Sequence, residues 1–190
     1  MTLQQATLPT PQFDQIQLDQ LKEQIQQQIQ AGLKFLTELT QAPTDFATQT
    51  QVLEQMDTLE NNMSESWGVL AHLNSVMSNA VTREVYQSLL PLLSEYYTQL
   101  GQHTALYQTY QHLHDGPEFS TLTPAQQSAI RLALRDFKLS GVALEGAAKQ
   151  RYAEISARLS QLSSDFSNHV LDAESVWRNL FLELFKPSQA

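Results

Sequence analysis

Five histidines are the side chains in this sequence best able to do chemistry. They are His72, His103, His112, His114 and His169. None stands in a His-Glu-x-x-His segment, in which two histidines one turn apart bind zinc and the glutamate acts as base. His112 and His114 are two residues apart, so on a helix they point about 200° away from each other. We therefore expect this pair to be solvated or to lie at a helix end. His72 lies beside Leu70 and Leu73, and we expect it to be partly buried and hydrogen-bonded.

The charged residues form no catalytic pattern. Asp172 and Glu174 are near neighbours, but an acid–base pair needs two carboxyl groups that face each other across a cleft, and the spacing does not place them so. Arg131 and Arg135 lie one helical turn apart. We interpret them as a surface stripe with Asp136 as a local partner; the alternative is a contact with an anion or a peptide terminus.

Four tyrosines are interpreted as a packing stripe whose hydroxyl groups reach the surface, with a role in a substrate groove as the alternative. They are Tyr96, Tyr97, Tyr107 and Tyr110. The sequence contains no glycine-rich phosphate loop and no Gly-x-Ser-x-Gly elbow. It thus identifies no catalytic residue and no metal ligand, and it leaves the substrate-binding residues unassigned.

Composition excludes several classes of protein. A formal net charge of −9 over 190 residues argues against binding nucleic acid or an anionic membrane surface, because both need clustered Lys and Arg. The absence of cysteine excludes disulfides and thiolate metal sites. The first residues lack the pattern of a secretory signal, and no apolar run of about 18 residues occurs. These observations predict a cytoplasmic protein.

Apolar residues recur at steps of three and four along most of the chain, which predicts an all-α fold. We expect a single domain of five to seven helices, similar to a helical bundle. Residues 1–13 are predicted to form an irregular lead, residues 14–180 the helical domain, and residues 181–190 a divergent tail. Eight glutamines between positions 15 and 30 are interpreted as a solvated helix face.

Turn and cap residues predict where the helices begin and end. Helix starts are expected at Thr44 or Asp45, after 78–79, and at Thr123, where Pro124 and Gln126 complete a capping box. Gly68 is expected to break or kink its helix. Gly101 is expected to mark an irregularity within one long helix over 80–113, and Gly141 to end the helix that starts at Thr123.

Several segments, in order, resemble the N-terminal region of the thimet oligopeptidase family of zinc metallopeptidases, in particular its bacterial oligopeptidases. They are HLNSV at 72–76, TREVY at 82–86, LPLLSEY at 90–96, LRDF at 134–137, LSGV at 139–142, QRY at 150–152, EI at 154–155, RLS at 158–160, FSN at 166–168 and VLDA at 170–173. The similarity covers roughly 10–180 and ends near Leu180.

This resemblance implies a mostly helical protein with two lobes around a deep channel that admits only short peptides. The N-terminal helices belong to the lobe that faces the catalytic one. The zinc ligands of the family lie far downstream, so none of its catalytic or metal residues can be transferred to this sequence. We expect zinc only in the catalytic region, and we expect this chain to be truncated before it.

The first hypothesis is therefore a non-catalytic helical domain that forms part of the wall of a substrate channel for short peptides. The alternative is a stand-alone interaction module that binds a separately encoded catalytic lobe or a second copy of itself. A third possibility is the remnant of a truncated peptidase gene.

Overall fold

Helices account for the whole regular structure of residues 13–184, which are the residues described by the computed structural model; this part of the chain contains no strand. The helices are α1 (Leu18–Glu38), α2 (Phe46–Val76), α3 (Ala80–Gly101), α4 (Thr104–Asp115), α5 (Pro124–Leu139) and α6 (Gly146–Leu184), with short 3-10 turns at Phe13–Gln15 and Pro117–Thr121. The all-α fold with five to seven helices is confirmed for the described range. Apart from Phe13, the predicted lead lies outside the described residues, as do positions 185–190 of the predicted tail.

Side-chain caps set three of the helix starts that the sequence predicts. The Asp45 carboxylate accepts a hydrogen bond from the Thr48 backbone N–H at 2.9 Å, and Asn79 caps α3 in the same way. Thr123 and Gln126 form the predicted capping box at α5. Each cap satisfies a backbone donor that the first helical turn leaves free. Gly141 follows the end of α5 with φ of +79°, a conformation that favours glycine.

Two predictions about glycines are wrong in detail. α2 continues through Gly68 without a break, because its neighbours Met63 and Leu70 are buried and their packing outweighs the roughly 1 kcal/mol that a helical glycine costs. Gly101 is more than an irregularity, because the helix ends there. His103 caps the new helix α4 by accepting a hydrogen bond from the Leu106 N–H, so the predicted long helix is two helices.

The core lies between α1, α2 and α3, and α4 and α5 extend it. Its members recur every three, four or seven residues along each helix, as expected for one buried face. They include Ile25 and Ile29 of α1, Met56, Met63 and Leu70 of α2, Leu89, Leu93 and Tyr96 of α3, Leu106 of α4 and Phe137 of α5. Of the glutamines expected to be solvated, Gln24 is exposed and Gln28 is half-buried, and both donate to the Ser66 hydroxyl at 3.0 Å.

α6 is attached to this core almost entirely through α3. None of its described side chains is a buried apolar residue; the buried ones are Ser164 and Asn168. A helix on the surface of a domain ordinarily turns its apolar face inward. α6 instead turns its apolar face outward and its polar face toward α3. This arrangement makes α6 the candidate functional element.

Candidate functional site: the seam between α3 and α6 and the outer face of α6

Two polar contacts fix the direction of α6 on α3. Arg83, in the first turns of α3, binds both carboxylate oxygens of Asp172 at 2.6 and 3.0 Å. Halfway along, the hydroxyl oxygens of Ser94 and Ser160 lie 3.2 Å apart. Residue numbers therefore rise along one helix as they fall along the other, so the two helices are antiparallel. α6 after Asp172 extends past the start of α3.

The Arg83–Asp172 pair joins residues 89 positions apart in the chain. Hydrogen bonds from the Arg83 guanidinium hold the pKa of the Asp172 carboxyl below its ordinary value. From its spacing, Asp172 was a possible partner of Glu174 only. In the structure it binds Arg83, a contact that positions α6 on α3.

The outer face of α6 carries a continuous apolar stripe, which we call the outer face from here on. Phe166 is 70% exposed and Trp177 is 66% exposed, and the Trp177 ring stacks on Phe181 at 5.5 Å. The exposed large apolar residues of α6 are Ile155, Leu159, Leu162, Phe166, Val170, Val176, Trp177, Leu180 and Phe181. Apolar side chains grouped in this way on one helix mark a surface that another element covers.

Two adjoining cavities follow the seam between α3 and α6. One is about 400 Å³ and is lined by Asn74 of α2 and by Leu159 and serines of α6. The other is about 320 Å³ and reaches Tyr152 and Ser140. Both cavities are lined by Tyr86, Leu90 and Ser160. We call them together the seam trough.

Three polar atoms of α2 and α6 are buried and make no hydrogen bond. They are Asn74 Oδ1, Ser164 Oγ and Asn168 Oδ1. A buried polar group without a partner costs about 1–3 kcal/mol. Two tyrosines that line the seam trough stay neutral, since burial raises the pKa of Tyr86 and raises that of Tyr97 to about 12.

A larger groove of about 1170 Å³ lies at the opposite end of the seam, between α1, the second half of α3 and the start of α6. Its lining includes Glu95, His103 and Lys149. Glu95 and Lys149 carry opposite charges, so neither positive nor negative charge dominates the groove. His103 is held there by Nε2, which lies 2.9 Å from the Leu36 carbonyl oxygen.

His103 supports the fold in its neutral form. Its Nδ1 accepts the Leu106 N–H at 3.1 Å, so the ring proton is on Nε2 and is donated to Leu36. Burial lowers the pKa of His103 below its ordinary value of 6.5, although the bond to Leu36 acts in the opposite direction. The stability that the neutral ring contributes is therefore complete above pH 6.5 and is lost as the pH falls through the lowered value.

We expect this residue to make the stability of the chain depend on pH. The urea midpoint should fall between about pH 7.5 and about pH 5, and the fall should be smaller in His103→Asn, which keeps a capping oxygen but does not titrate. His72→Asn, at an exposed histidine, is the matched control and should keep the fall of the parent chain. An unchanged pH dependence in His103→Asn would contradict the assignment.

The other histidines lie apart from one another. His112 faces the Pro43 carbonyl at 3.2 Å, and His114 pairs with Asp115 near the end of α4, as predicted for a helix end. The prediction for His72 is wrong, because this side chain is exposed and contacts the Phe13 ring at 5.3 Å. Within residues 13–184, no three His, Asp or Glu side chains come close enough to hold a metal ion.

The arginine pair of α5 behaves as its surface interpretation predicts. Arg135 binds the neighbouring Asp136 at 2.8 Å. Arg131 reaches Gln127 and lies over the Phe119 ring at 5.1 Å. Both guanidinium groups are thus in contact with their own helix or with the turn before it.

The tyrosine prediction is wrong for Tyr96. Its side chain is 1% exposed, and its hydroxyl does not reach the surface but donates to Glu60 Oε1 at 2.6 Å. Burial raises the pKa of Glu60 as well as that of Tyr96. Tyr107 and Tyr110 pack against Phe137, as a packing stripe requires.

Sequence reasoning missed the polar residues of the seam trough. A signal was present, because Ser156, Ser160, Ser163 and Ser167 recur at steps of four, three and four and so share one face of α6. The apolar stripe of the same helix has equally regular spacing, and it is ordinarily the stripe assigned to the core.

No helix among the described residues is both long and apolar enough to cross a membrane.

Comparison with known proteins gives one family. Residues 18–149 match the family model of the neurolysin/thimet oligopeptidase N-terminal domain. Oligopeptidase A of Haemophilus influenzae is 41% identical over 170 residues, which are 90% of this chain and 25% of that protein. Oligopeptidase A of Escherichia coli is 44% identical over 139 residues, which are 73% of this chain and 20% of that protein.

A plant protein is more distant. The probable cytosolic oligopeptidase A of Arabidopsis thaliana is 24% identical over 176 residues, with 91% of this chain and 24% of that protein covered. The chain therefore spans between a fifth and a quarter of the length of these relatives.

Proposed function

The chain belongs to the neurolysin/thimet oligopeptidase family, whose N-terminal domain it contains, and from this premise we propose that it is the non-catalytic helical domain of an oligopeptidase A-like zinc metallopeptidase. In that role the outer face of α6 packs against the catalytic part of the enzyme. The domain then contributes part of the wall of a channel for short peptides. We also propose that the protein acts in the cytoplasm.

One observation carries the docking role. The described side chains of α6 include no buried apolar residue, while nine large ones are exposed. Monomeric proteins rarely leave contiguous apolar surface of this kind uncovered. A catalytic part about three times the length of this chain, as the relatives have, supplies a partner of sufficient size.

Zinc, which the family uses, finds no site in the described residues. Their histidines and carboxylates do not converge, and the whole sequence lacks a His-Glu-x-x-His segment. We therefore assign the zinc and the hydrolytic step to the catalytic part, and we expect the 190 residues alone to hydrolyse no peptide.

A hybrid enzyme tests this function. In oligopeptidase A of Haemophilus influenzae, the matched segment is replaced by the corresponding residues of this chain, and hydrolysis of a short internally quenched peptide is measured. The hybrid should cleave the peptide within about tenfold of the parent kcat/KM, a change of about 1.4 kcal/mol. The catalytic part without any N-terminal segment is the negative control. A folded hybrid with no more activity than this control would contradict the proposal.

The same apolar surface also suits a second copy of this chain, which is the alternative function. Sedimentation of the isolated chain, alone and with the catalytic part, and of the hybrid enzyme distinguishes the docking role from self-association. The docking role predicts that any self-association is displaced when the catalytic part is present. A dimer that persists in the hybrid enzyme would favour the alternative.

A further inference from the structure

The outer face of α6 contains a regular heptad pattern. Eight exposed positions from 155 to 180 follow one another at steps of four and three, and seven of them are apolar. They are Ile155, Leu159, Leu162, Phe166, His169, Ala173, Val176 and Leu180. We call them the heptad stripe. Apolar residues kept at this spacing over about three to four heptads are the pattern of a coiled coil.

The heptad stripe is uncovered along its whole length. Its large apolar side chains are all at least 44% exposed. The buried Ser164 lies two residues from both Leu162 and Phe166, so it points about 200° away from each of them. The stripe is therefore on the side of α6 opposite to α3. From 155 to 180 a helix rises by about 38 Å, which is the length that a partner must have to cover the stripe.

The two edges of the heptad stripe differ. On one edge, Val170 and Trp177 extend the apolar surface. On the other edge, charged residues recur every seven positions, with two positive residues followed by two negative ones: Arg151, Arg158, Asp165 and Asp172. In coiled coils, charges at such edge positions select the partner helix and its orientation. Two of these charges, on Arg158 and Asp165, form no ion pair with any described residue.

A second helix is the element that this surface fits. A helix with apolar residues at the same spacing places its side chains between those of the stripe. A sheet presents alternate residues over a broad face, and a loop brings backbone polar groups that an apolar stripe cannot bind. His169 is the single polar member of the stripe, and one polar residue in such a position fixes the register of the partner.

We propose that one amphipathic helix of the catalytic part packs along the heptad stripe as a coiled coil. The partner helix carries apolar residues at heptad spacing, with acidic side chains near Arg158 and basic ones near Asp165. This inference rests on the proposed function, to which it adds the kind of element that α6 receives.

Thiol labelling at single cysteines tests the inference, since the chain contains no cysteine of its own. The variants are two pairs of neighbours on α6: Phe166→Cys with Ser167→Cys, and Ala173→Cys with Glu174→Cys. Neighbouring residues point about 100° apart on a helix, and all four positions are exposed in the isolated chain. The rate of labelling by a maleimide is measured in the isolated chain and in the hybrid enzyme, by mass spectrometry of the peptide that contains the introduced cysteine.

A helical partner should slow labelling at 166 and 173 at least about tenfold in the hybrid, and it should leave the rates at 167 and 174 within about threefold of those in the isolated chain. In an active hybrid, slowing at all four positions would show that a broad surface covers α6, and slowing at none would show that nothing does. Either result would overturn the inference, while the activity would still support the proposed function.

Two further outcomes would also end the inference. A folded but inactive hybrid would contradict the proposed function, and the inference would fall with it. Labelling of Ala173→Cys that becomes slower as the concentration of the isolated chain rises would identify a second copy of the chain as the occupant of the stripe.

Reversal of the charged edge tests the charges assigned to the partner helix. Arg158→Glu combined with Asp165→Lys keeps the net charge and should lower the kcat/KM of the hybrid about three- to tenfold, because each new charge then faces one of the same sign. The loss should shrink in about 0.5 M salt, which screens exposed charges. Arg131→Glu combined with Asp136→Lys, on α5, is the matched control and should leave kcat/KM unchanged. An unchanged kcat/KM in the α6 variant would contradict these charges.

Discussion

Replacing Phe166 and Trp177 together by Asp should lower the kcat/KM of the hybrid enzyme at least about a hundredfold. Docking of the catalytic part would bury both new carboxylates, and an unpaired buried charge costs about 3–5 kcal/mol. A factor of ten in affinity corresponds to about 1.4 kcal/mol. In the isolated chain both positions are exposed, so its free energy of unfolding should change by no more than about 0.5 kcal/mol.

The matched control uses two exposed leucines of α5. Leu132 is 47% exposed and Leu139 is 70% exposed, so their replacement by Asp adds the same charge to an apolar surface of similar exposure. This control hybrid should retain the activity of the parent hybrid. If it loses as much activity as the α6 variant, or if the α6 variant loses none, the outer face is not the docking surface.

The second large effect concerns stability. Replacement of two helical glycines by Ala should change the free energy of unfolding in opposite directions. A Cβ at Gly32 would come within 2.5 Å of the Tyr96 ring, which is buried and fixed by its hydrogen bond to Glu60. Overpacking of this kind costs about 1–3 kcal/mol. A Cβ at Gly68 would meet open space, so Gly68→Ala should gain about 0.5–1 kcal/mol from helix propensity alone.

Urea unfolding of both variants, followed by circular dichroism at constant pH, measures the two changes. We expect Gly32→Ala to have a lower midpoint than the parent chain and Gly68→Ala a higher one. A gain of stability in Gly32→Ala would show that α1 and α3 do not approach as closely as the structure has them.

Local signals in the sequence predicted most of the fold because they depend on neighbouring residues. The capping box of Thr123 and Gln126 and the caps at Asp45 and Asn79 act across three residues, and the structure contains all of them. Gly68 failed as a helix breaker because tertiary packing of α2 outweighs a local preference.

Contacts between distant segments were not predictable in this way. Arg83 and Asp172 are 89 residues apart, and nothing near either residue indicates the other. Tyr96 shares the spacing of the buried Leu89 and Leu93, but nothing near it indicates that its hydroxyl donates to Glu60 on another helix. The spacing of residues shows which side chains share one face of a helix. Which helix packs against that face depends on how the helices are arranged.

α6 shows the same limit most clearly, and there it bears on function. Its apolar period correctly predicts a helix and the residues that share one face. It does not say whether that face is covered by this chain or by another. The structure places Ser160 and Ser164 toward α3 and leaves Phe166 and Trp177 outside, a result that only the assembled fold could give.

Hydrogen–deuterium exchange of α6 tests the docking of its outer face most directly. Exchange is compared between the isolated chain and the hybrid enzyme, with segment 21–29 of α1, which carries the buried Leu21, Ile25 and Ile29, as the internal reference. Docking predicts that amides over 155–181 exchange at least about tenfold more slowly in the hybrid, equivalent to about 1.4 kcal/mol of added protection, while the reference is unchanged. Equal exchange of 155–181 in an active hybrid would contradict the account.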